Sequence, residues 1–397
     1  MNPTKVIFGP GRLAELSAAI EQVAGAQARV FLVTGQSNLR KSGVLQQVVD
    51  SIGSSRVTLF DRVTPFPGPQ LVGDALDACR QSSSQLVVAI GGGSAIDTGK
   101  IVSVLMTHEG TWDEYLTGER KISHHGVPFI AVPTTSGSSS EVTAGAAVWD
   151  WEAKRSINLI HPGMFPDVAI VDPELAMSMP KELAALTGID AFTSAFESYW
   201  SIEAEPVSDA LDLQVIRSFA THLESSCNIG DLAARSECSL AATMSGVAYS
   251  NSHPNVCHAI GSPLTLFWEV EHGQAVGVTL TTFLRSQAEG ISHKLPALWD
   301  ALGVSDLDEA DRRITQIMVE CGLETGYKLS AERLEAALTS GTKCLIINSP
   351  SNPSGAVYSK RELQDLGKVL EAHPRVAVVA DEIYEHLVYD GHEHHSI

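Results

Sequence analysis

The chain has 397 residues, of which 44% are hydrophobic, and a formal net charge of −20 at pH 7. A chain of this length folds around more than one core, so we expect two or three domains. The negative charge argues against binding to nucleic acid or to anionic membrane surfaces, and an anionic ligand must be held by local cations or backbone amides.

The cysteines and the N-terminus indicate a reducing compartment. The six cysteines are scattered along the chain and form no CxxC pair. The opening stretch MNPTKVIFGPGRL lacks the basic flank and apolar segment of a secretory signal, and no apolar run is long enough to span a bilayer. We therefore expect a cytoplasmic protein without disulfides.

The first half of the chain alternates strand and helix patterns. Strands are predicted at ARVFLVT (28–34), RVTLFDRV (56–63), QLVVAIGGG (85–93) and VPFIAVPTT (127–135). Helical patterns of ten or more residues separate them, which predicts parallel βαβ units.

Two changes of pattern follow. Long helical patterns such as ELAALTGIDAFTSAFESYWS begin after Pro180, and β-rich stretches such as KCLIINSPSNPSG return from about Lys328. We predict an α/β dinucleotide-binding domain over 1–180, an all-α domain over 181–325 and a short appended α/β segment over 326–397.

The stretch AIGGGSAIDTGK (89–100) joins a strand to a helix through three glycines. Such a junction lets backbone amides and the positive end of the helix dipole approach an anion. Ser94 can cap this helix and donate to a phosphate oxygen. A hydroxyl-rich loop, VPTTSGSSSEVT (132–143), follows another strand, and two such loops at neighbouring strand ends would form a phosphate-binding rim. Alternatively, a tight turn with a purely structural role would show the same glycine pattern.

Four motifs in order, GGGSAIDTGK, PTTSGSSSEVT, FPDVAIVDPEL and GIDAFTSAFESYWS, resemble the iron-type (group III) alcohol dehydrogenases over about residues 3–325. The resemblance implies a dehydroquinate synthase-like architecture, with a nicotinamide cofactor between the two domains and a divalent metal opposite it. The cofactor-binding residues that it implies are Gly91, Gly92, Gly93, Ser94, Asp97, Thr134, Thr135 and Ser138.

Gly35 stands where the family often has an acidic residue that contacts the adenine ribose. Its lack of a carboxylate, with Arg40 and Lys41 nearby, predicts that NADPH is accepted. A simple turn glycine is the alternative.

The metal ligands that the resemblance implies are Asp190, His258 and His272, for Fe²⁺ or Zn²⁺. Ser194 replaces a ligand histidine, and Ser262 replaces a histidine of a proton relay. His258 or His272 could polarise the substrate carbonyl, and Ser262 could join a relay.

Three alternatives to this metal site stay open. His253 could be a substitute ligand. The metal could bind weakly or not at all, with the histidines contacting the substrate directly. Asp190 could simply cap a helix, with the histidines as ordinary polar residues.

The stretches HAIGSPLTLFWEVEHGQAVGVTL and ESYWS resemble the phosphonoacetaldehyde reductase branch. The implied reaction is the reduction of phosphonoacetaldehyde to 2-hydroxyethylphosphonate. Its anionic group requires cations, for which we predict Lys154 and Arg155, although a solvated turn explains this pair equally well.

Residues 326–397 resemble the middle of an aspartate-type, pyridoxal-phosphate-dependent aminotransferase, in which Asn352, Asp381 and Tyr384 would contact the cofactor. The Schiff-base lysine of that family would lie beyond this stretch. We expect a catalytically incomplete fragment that does not bind pyridoxal phosphate and either covers the helical domain or forms an appended unit.

Together these patterns predict an NAD(P)H-dependent reductase of a small aldehyde that forms a homo-oligomer such as a dimer. There are three alternatives. The chain could be another iron-type alcohol dehydrogenase, it could be a relative of the glycerol dehydrogenases or dehydroquinate synthases, or it could be an inactive fusion protein that still binds nucleotide.

Overall fold

The computed structural model describes residues 2–326, 328–351, 357–386, 388 and 393–397. These residues form two compact units. The first contains residues 2–277 and 283–323, and the second contains residues 278–282 and the described part of 324–397. Within the described residues, no helix is long and apolar enough to cross a membrane.

The strands of the described chain come early in the sequence and then again near its end. In chain order they are β1 (Lys5–Phe8), β2 (Val30–Gly35), β3 (Val57–Val63), β4 (Leu86–Gly91), β5 (Phe129–Pro133), β6 (Gly145–Asp150), β7 (Arg155–Ile160), β8 (Val168–Val171), β9 (Cys344–Asn348) and β10 (Ala377–Asp381).

The α-helices alternate with the strands up to β8 and then follow one another. They are α1 (Leu16–Ala24), α2 (Asn38–Lys41), α3 (Val44–Ile52), α4 (Pro69–Ser82), α5 (Gly93–Leu105), α6 (Trp112–Leu116), α7 (Pro173–Ala176), α8 (Lys181–Tyr199), α9 (Pro206–Asn228), α10 (Leu232–Ser252), α11 (Val256–Trp268), α12 (His272–Gly277), α13 (Leu280–Gln287), α14 (Leu295–Leu302), α15 (Leu307–Cys321), α16 (Ala331–Ala337) and α17 (Lys360–Ala372).

A six-stranded sheet with the order β1-β8-β5-β4-β2-β3 forms the centre of the first unit, and its paired strands are all parallel. Successive residues of a strand face opposite sides, so Phe31 and Val33 pack into one core while Val30 and Leu32 pack into another. The near-continuous apolar runs of the central strands are typical of a parallel sheet buried on both faces. The predicted α/β domain is confirmed.

The helical part of the first unit is built around α8, α9 and α10, which pack against one another. Gly188 of α8 allows this contact, because a Cβ atom there would lie 2.3 Å from Cδ1 of Leu223 on α9. The predicted all-α domain is confirmed, and α8 starts within one residue of the predicted helix.

The second unit contains a two-stranded parallel sheet of β9 and β10. Its small core includes Leu334, Ile347, Tyr358 and Leu366, contributed by α16, β9, α17 and the segment before α17. The predicted appended α/β segment is confirmed as a fold element. Asn352, one of the three aminotransferase-like positions, lies outside the described residues.

Candidate active site

One cavity of about 1340 Å³ in the first unit brings together nearly all of the predicted site residues. On the sheet side its lining includes Gly35, Gly91, Gly92, Gly93, Ser94, Asp97, Thr134, Thr135 and Ser138. On the helical side it includes Asp190, His258, Ser262 and His272. The carboxyl ends of parallel strands thus face the helices that carry the candidate metal ligands, which is where open α/β sheets bind ligands.

The glycine turn after β4 and the loop after β5 lie side by side. Gly91 pairs with Pro133 in the sheet register, and the amide of Thr134 donates to the carbonyl of Gly91 at 2.9 Å. α5 begins at Gly93, and its N-cap, Gly92, offers no capping side chain. The first-turn amides therefore point out of the N-terminal end of α5, which borders the cavity. The helix dipole favours an anion at this end.

Ser94 does not cap α5, contrary to the expectation from the sequence. Gly92 has the extended backbone of an N-cap residue, so Ser94 already lies inside the first turn. Its hydroxyl instead accepts a hydrogen bond from the amide of Phe66 at 3.1 Å.

Asp97 and Lys100, on one face of α5, hold the strand β6 and the loop before it. The Asp97 carboxylate accepts from the Ser140 hydroxyl and from the amide of Ala147, the latter at 2.9 Å. Lys100 is fully buried and donates to the carbonyl of Gly145 at 2.6 Å. Burial lowers the pKa of Lys100 to about 8 and raises the pKa of Asp97 above its ordinary value. This charge pair thus braces the edge of the cavity.

The three candidate metal ligands come from three helices. Asp190 lies in the middle of α8, His258 in the first turn of α11, and His272 at the start of α12. One ligand atom from each lies within 4.8 Å of the other two. Gly273 permits this approach, because a Cβ atom there would lie 1.9 Å from the carbonyl oxygen of Leu186 on α8.

The charges of the three groups depend on one another. Nε2 of His258 lies 3.2 Å from Oδ1 of Asp190, and Nδ1 of His258 is hydrogen-bonded to Glu197. Burial opposes charge on His258, but its bonds to Asp190 and Glu197 raise its pKa to about 10. Burial lowers the pKa of His272. Burial also opposes the ionisation of Asp190, but the hydrogen bond from His258 lowers the pKa of the Asp190 carboxyl.

The donor set fits a divalent transition metal. One carboxylate and two imidazoles are ligands that Zn²⁺ and Fe²⁺ both accept, with positions left open for a substrate. Nδ1 of His272 is buried and has no hydrogen-bond partner in the described structure. A buried imidazole nitrogen without a partner is costly, and this cost favours a ligand at the group.

Ser194 and His253 make other contacts. The hydroxyl of Ser194 donates to the carbonyl of Asp190 at 2.9 Å and lies 3.4 Å from Nε2 of His258. His253 lines the cavity, but its Nδ1 bonds to the carboxylate of Glu203 at 2.9 Å. His253 does not belong to the ligand cluster found among the described residues.

Lys154 and Arg155 do not belong to the lining found for this cavity among the described residues. Lys154 lies in the turn between β6 and β7 and donates to the carbonyl of Leu266 at 2.8 Å, and Arg155 begins β7 and pairs with Asp150. Their role in substrate binding stays a prediction, without support from these contacts.

Three residues near the ligands were missed by the sequence reasoning. Trp149 of β6 lies edge-on to His272, with ring centroids 5.7 Å apart, and Phe66 packs on Trp149 at 4.9 Å. Both come from distant parts of the chain, so spacing carries no signal for them. Glu197 could have been found, because it follows Asp190 by seven residues and therefore shares its helix face.

Comparisons with known proteins identify the fold and the family. The family model for iron-containing alcohol dehydrogenases matches residues 3–173, and the C-terminal model of that family matches residues 184–340. A model for class I and II aminotransferases matches residues 310–397.

Curated relatives and solved structures agree with these models. A choline dehydrogenase of Bacillus subtilis is 31% identical over 307 residues, which are 76% of this chain and 76% of the relative. A sulfoacetaldehyde reductase of Bilophila wadsworthia is 30% identical over 275 residues, 68% of this chain and 70% of the relative.

The crystal structure of a sulfoacetaldehyde reductase from Bifidobacterium kashiwanohense with NAD⁺ is similar with a TM-score of 0.75 and 25% identity, covering 95% of this chain and 92% of that one. The named relatives are alcohol dehydrogenases and aldehyde reductases. The chain belongs to the iron-containing alcohol dehydrogenase family.

Proposed function

We propose that this protein reduces a small aldehyde to a primary alcohol with a nicotinamide cofactor. The observation that carries the proposal is a single cavity lined both by the glycine turn before α5 and by Asp190, His258 and His272. A hydride donor held at the turn would face the groups that bind the carbonyl oxygen.

The sheet side of the cavity would bind the nucleotide. The amides of Gly92, Gly93 and Ser94 and the dipole of α5 favour the pyrophosphate. Thr134, Thr135 and Ser138 add hydroxyl groups at the same rim. Gly35 leaves the adenine-ribose end without a carboxylate, so we propose that NADPH is accepted as well as NADH.

The helical side would bind the metal and the aldehyde oxygen. When bound, the reduced nicotinamide supplies a hydride and the divalent metal polarises the carbonyl. Asp190, His258 and His272 would hold the metal, and Ser262, four residues after His258, would take part in moving a proton to the new hydroxyl group. Trp149 limits the room beside His272 and so favours a small substrate.

The charge of the aldehyde separates two substrate classes. The phosphonoacetaldehyde reductase-like motifs and the two sulfoacetaldehyde reductases among the relatives support an anionic aldehyde, and phosphonoacetaldehyde is our specific candidate. Among its described residues the cavity lining carries the carboxylates of Asp97, Glu182, Asp190 and Glu271 and no lysine or arginine, which favours an uncharged aldehyde.

An assay at 340 nm tests both statements. The protein is supplied with NADH or NADPH and Fe²⁺ or Zn²⁺, and each of phosphonoacetaldehyde, sulfoacetaldehyde and propanal is added in turn. We expect oxidation of the cofactor with at least one of them. Nucleotide binding without turnover of any aldehyde would contradict the proposal and support an inactive nucleotide-binding protein.

The lysine and the arginine of the β6–β7 hairpin are tested in the same assay. If Lys154 and Arg155 bind the anionic group, Lys154→Ala and Arg155→Ala raise the KM for phosphonoacetaldehyde and leave the KM for propanal unchanged. An equal KM in the variants and the wild type would exclude that role.

A further inference from the structure

We propose that Glu197 is a positioning residue that orients His258 for metal binding, an inference that rests on the proposed metal site. The Glu197 carboxylate is fully buried and does not belong to the lining found for the cavity in the described chain. It would therefore act through the histidine and not by touching the substrate.

Both oxygens of this carboxylate contact the beginning of α11. Oε2 accepts a hydrogen bond from Nδ1 of His258, and Oε1 accepts one from the amide of Cys257. α11 begins at Val256, so a negative charge from α8 lies at its N-terminus, where the helix dipole favours it. Glu197 thus fixes both the imidazole ring and the helix that carries it.

The hydrogen bond to Glu197 decides which nitrogen of His258 is available as a ligand. A carboxylate accepts and cannot donate, so Nδ1 must carry the proton. In the neutral imidazole, Nε2 is then left with its lone pair, on the side of Asp190 at 3.2 Å. A carboxylate behind a ligand histidine is a common way to fix the ring and raise its basicity.

The spacing of α8 explains how one helix reaches both sides of the ring. Asp190, Ser194 and Glu197 are four and then three residues apart, so they form one stripe on the helix. The imidazole of His258 lies across this stripe, with Asp190 at one nitrogen and Glu197 at the other.

A second contact keeps the two helices in this arrangement. Asn255, just before α11, donates from Nδ2 to the carbonyl of Glu197 at 2.9 Å. Nε1 of Trp200 donates to Oδ1 of Asn255, also at 2.9 Å. The start of α11 is therefore attached to the end of α8 by backbone as well as side-chain bonds.

Because Ser194 replaces a ligand histidine, the orientation of His258 by Glu197 becomes more important for metal binding. A hydroxyl is a poor ligand for a borderline divalent ion beside imidazole, so we expect three strong ligands. With a single carboxylate and two imidazoles, disorder in one ring removes a third of the strong ligand set.

The test is a metal titration of the full-length protein by calorimetry with Zn²⁺, accompanied by the visible spectrum of the Co²⁺ form. We compare the wild type with Glu197→Gln, Glu197→Asp and a matched control, Glu335→Gln. Glu335 also bonds to a histidine, His373, at 3.3 Å, but on the second unit. Thermal melting and the Kd for NADH report whether each variant is folded.

We expect Glu197→Gln to weaken Zn²⁺ binding by about 10–100-fold and to change the Co²⁺ spectrum, while the Kd for NADH is retained. Glu197→Asp keeps the charge and should fall between Glu197→Gln and the wild type, and Glu335→Gln should match the wild type.

Wild-type metal affinity in Glu197→Gln would overturn the inference and leave the proposed function standing. A wild type that binds no metal would contradict the metal site itself and this role with it. Loss of the fold in both Glu197 variants would overturn the positioning role in favour of a purely structural one.

Discussion

A methyl group on Gly93 would lie 2.5 Å from the hydroxyl oxygen of Ser138, although Gly93 begins the helix after β4 and Ser138 lies in the loop after β5. The backbone of Gly93 has no positive φ, so the glycine is required by the close approach of the second loop and not by an unusual conformation. The candidate phosphate rim therefore depends on two small residues at one contact.

Gly93→Ala should weaken nucleotide binding about tenfold or more. The clash itself costs about 1–3 kcal/mol of stability. Its relief displaces the turn or the Ser138 loop from the rim that would hold the pyrophosphate, and each loss of about 1.4 kcal/mol of binding free energy corresponds to a factor of ten in Kd. The measurement is the Kd for NADH by fluorescence titration. Adding Ser138→Gly removes the clash and should restore part of the affinity.

Gly367→Ala is the control for this prediction, because a Cβ atom at Gly367 would meet no atom within 4 Å. It should bind NADH like the wild type. Unchanged affinity in Gly93→Ala would mean that the nucleotide does not use this turn.

Gly35→Asp should shift the cofactor preference towards NADH. A Cβ atom at Gly35 has only the carbonyl oxygen of Val63 near it, at 3.7 Å, so the substitution is sterically allowed. The new carboxylate would accept from the ribose hydroxyls of NADH and repel the 2′-phosphate of NADPH. The ratio of kcat/KM for the two cofactors measures the shift.

A complementary variant changes the ion pair of Arg40 at the same end of the site. It is ion-paired with Asp61, which competes with any phosphate for its guanidinium group. Asp61→Asn should release Arg40 and lower the KM for NADPH. If neither substitution changes the ratio, the adenine ribose does not lie at this end of β2.

Ser194→His should tighten metal binding by at least tenfold, because it adds an imidazole one helical turn from Asp190. The Kd for Zn²⁺, measured by competition with a chelator, checks the prediction. Ser194→Asn changes the size of the side chain without supplying an imidazole and should stay near the wild type. Equal affinities in all three proteins would contradict the assigned position of the metal.

Acid should destabilise the protein partly through His108. Its Nδ1 bonds to the carbonyl of Val104 at 2.8 Å, and its Nε2 accepts from the amide of Ser123 at 3.1 Å. Burial lowers its pKa below the ordinary value of 6.5, and the nearby His124 lowers it further. The unfolded chain therefore binds the proton more readily, so the stability contributed by neutral His108 is present above pH 6.5 and is lost as the pH falls below it.

The measurement is the Tm of the wild type and of His108→Gln between pH 7.5 and pH 5. The variant should be less stable at pH 7.5 but lose less on acidification. His293→Gln, at an exposed position, should follow the wild type. Parallel curves for all three proteins would show that His108 does not contribute to the pH dependence.

The sequence was sufficient to predict four of the six strands of the central sheet, β2 to β5, and to select most of the residues that line the cavity. The runs that form β2 and β4 are apolar on both faces, so their type is visible in the sequence, and the three successive glycines mark the end of β4. Asp190, His258 and His272 come from ordered motifs, and the structure brings them to the cavity that the glycine turn also lines.

The contacts that were missed depend on packing between distant parts of the chain. Trp149 reaches His272 only because the β6–β7 hairpin lies beside the helices. The exact start of α5 depends on Gly92 having an extended backbone, which left Ser94 inside the helix and free to bond to Phe66. Spacing along the sequence contains neither fact.

A crystal structure of the protein soaked with Zn²⁺ and NADH, with the metal located by its anomalous scattering, tests the proposed site most sharply. We expect one strong peak between the carboxylate of Asp190 and the imidazoles of His258 and His272, with the nicotinamide ring in the same cavity and the pyrophosphate at Gly92 and Gly93. A nucleotide bound elsewhere, or a metal peak away from these three side chains, would contradict it.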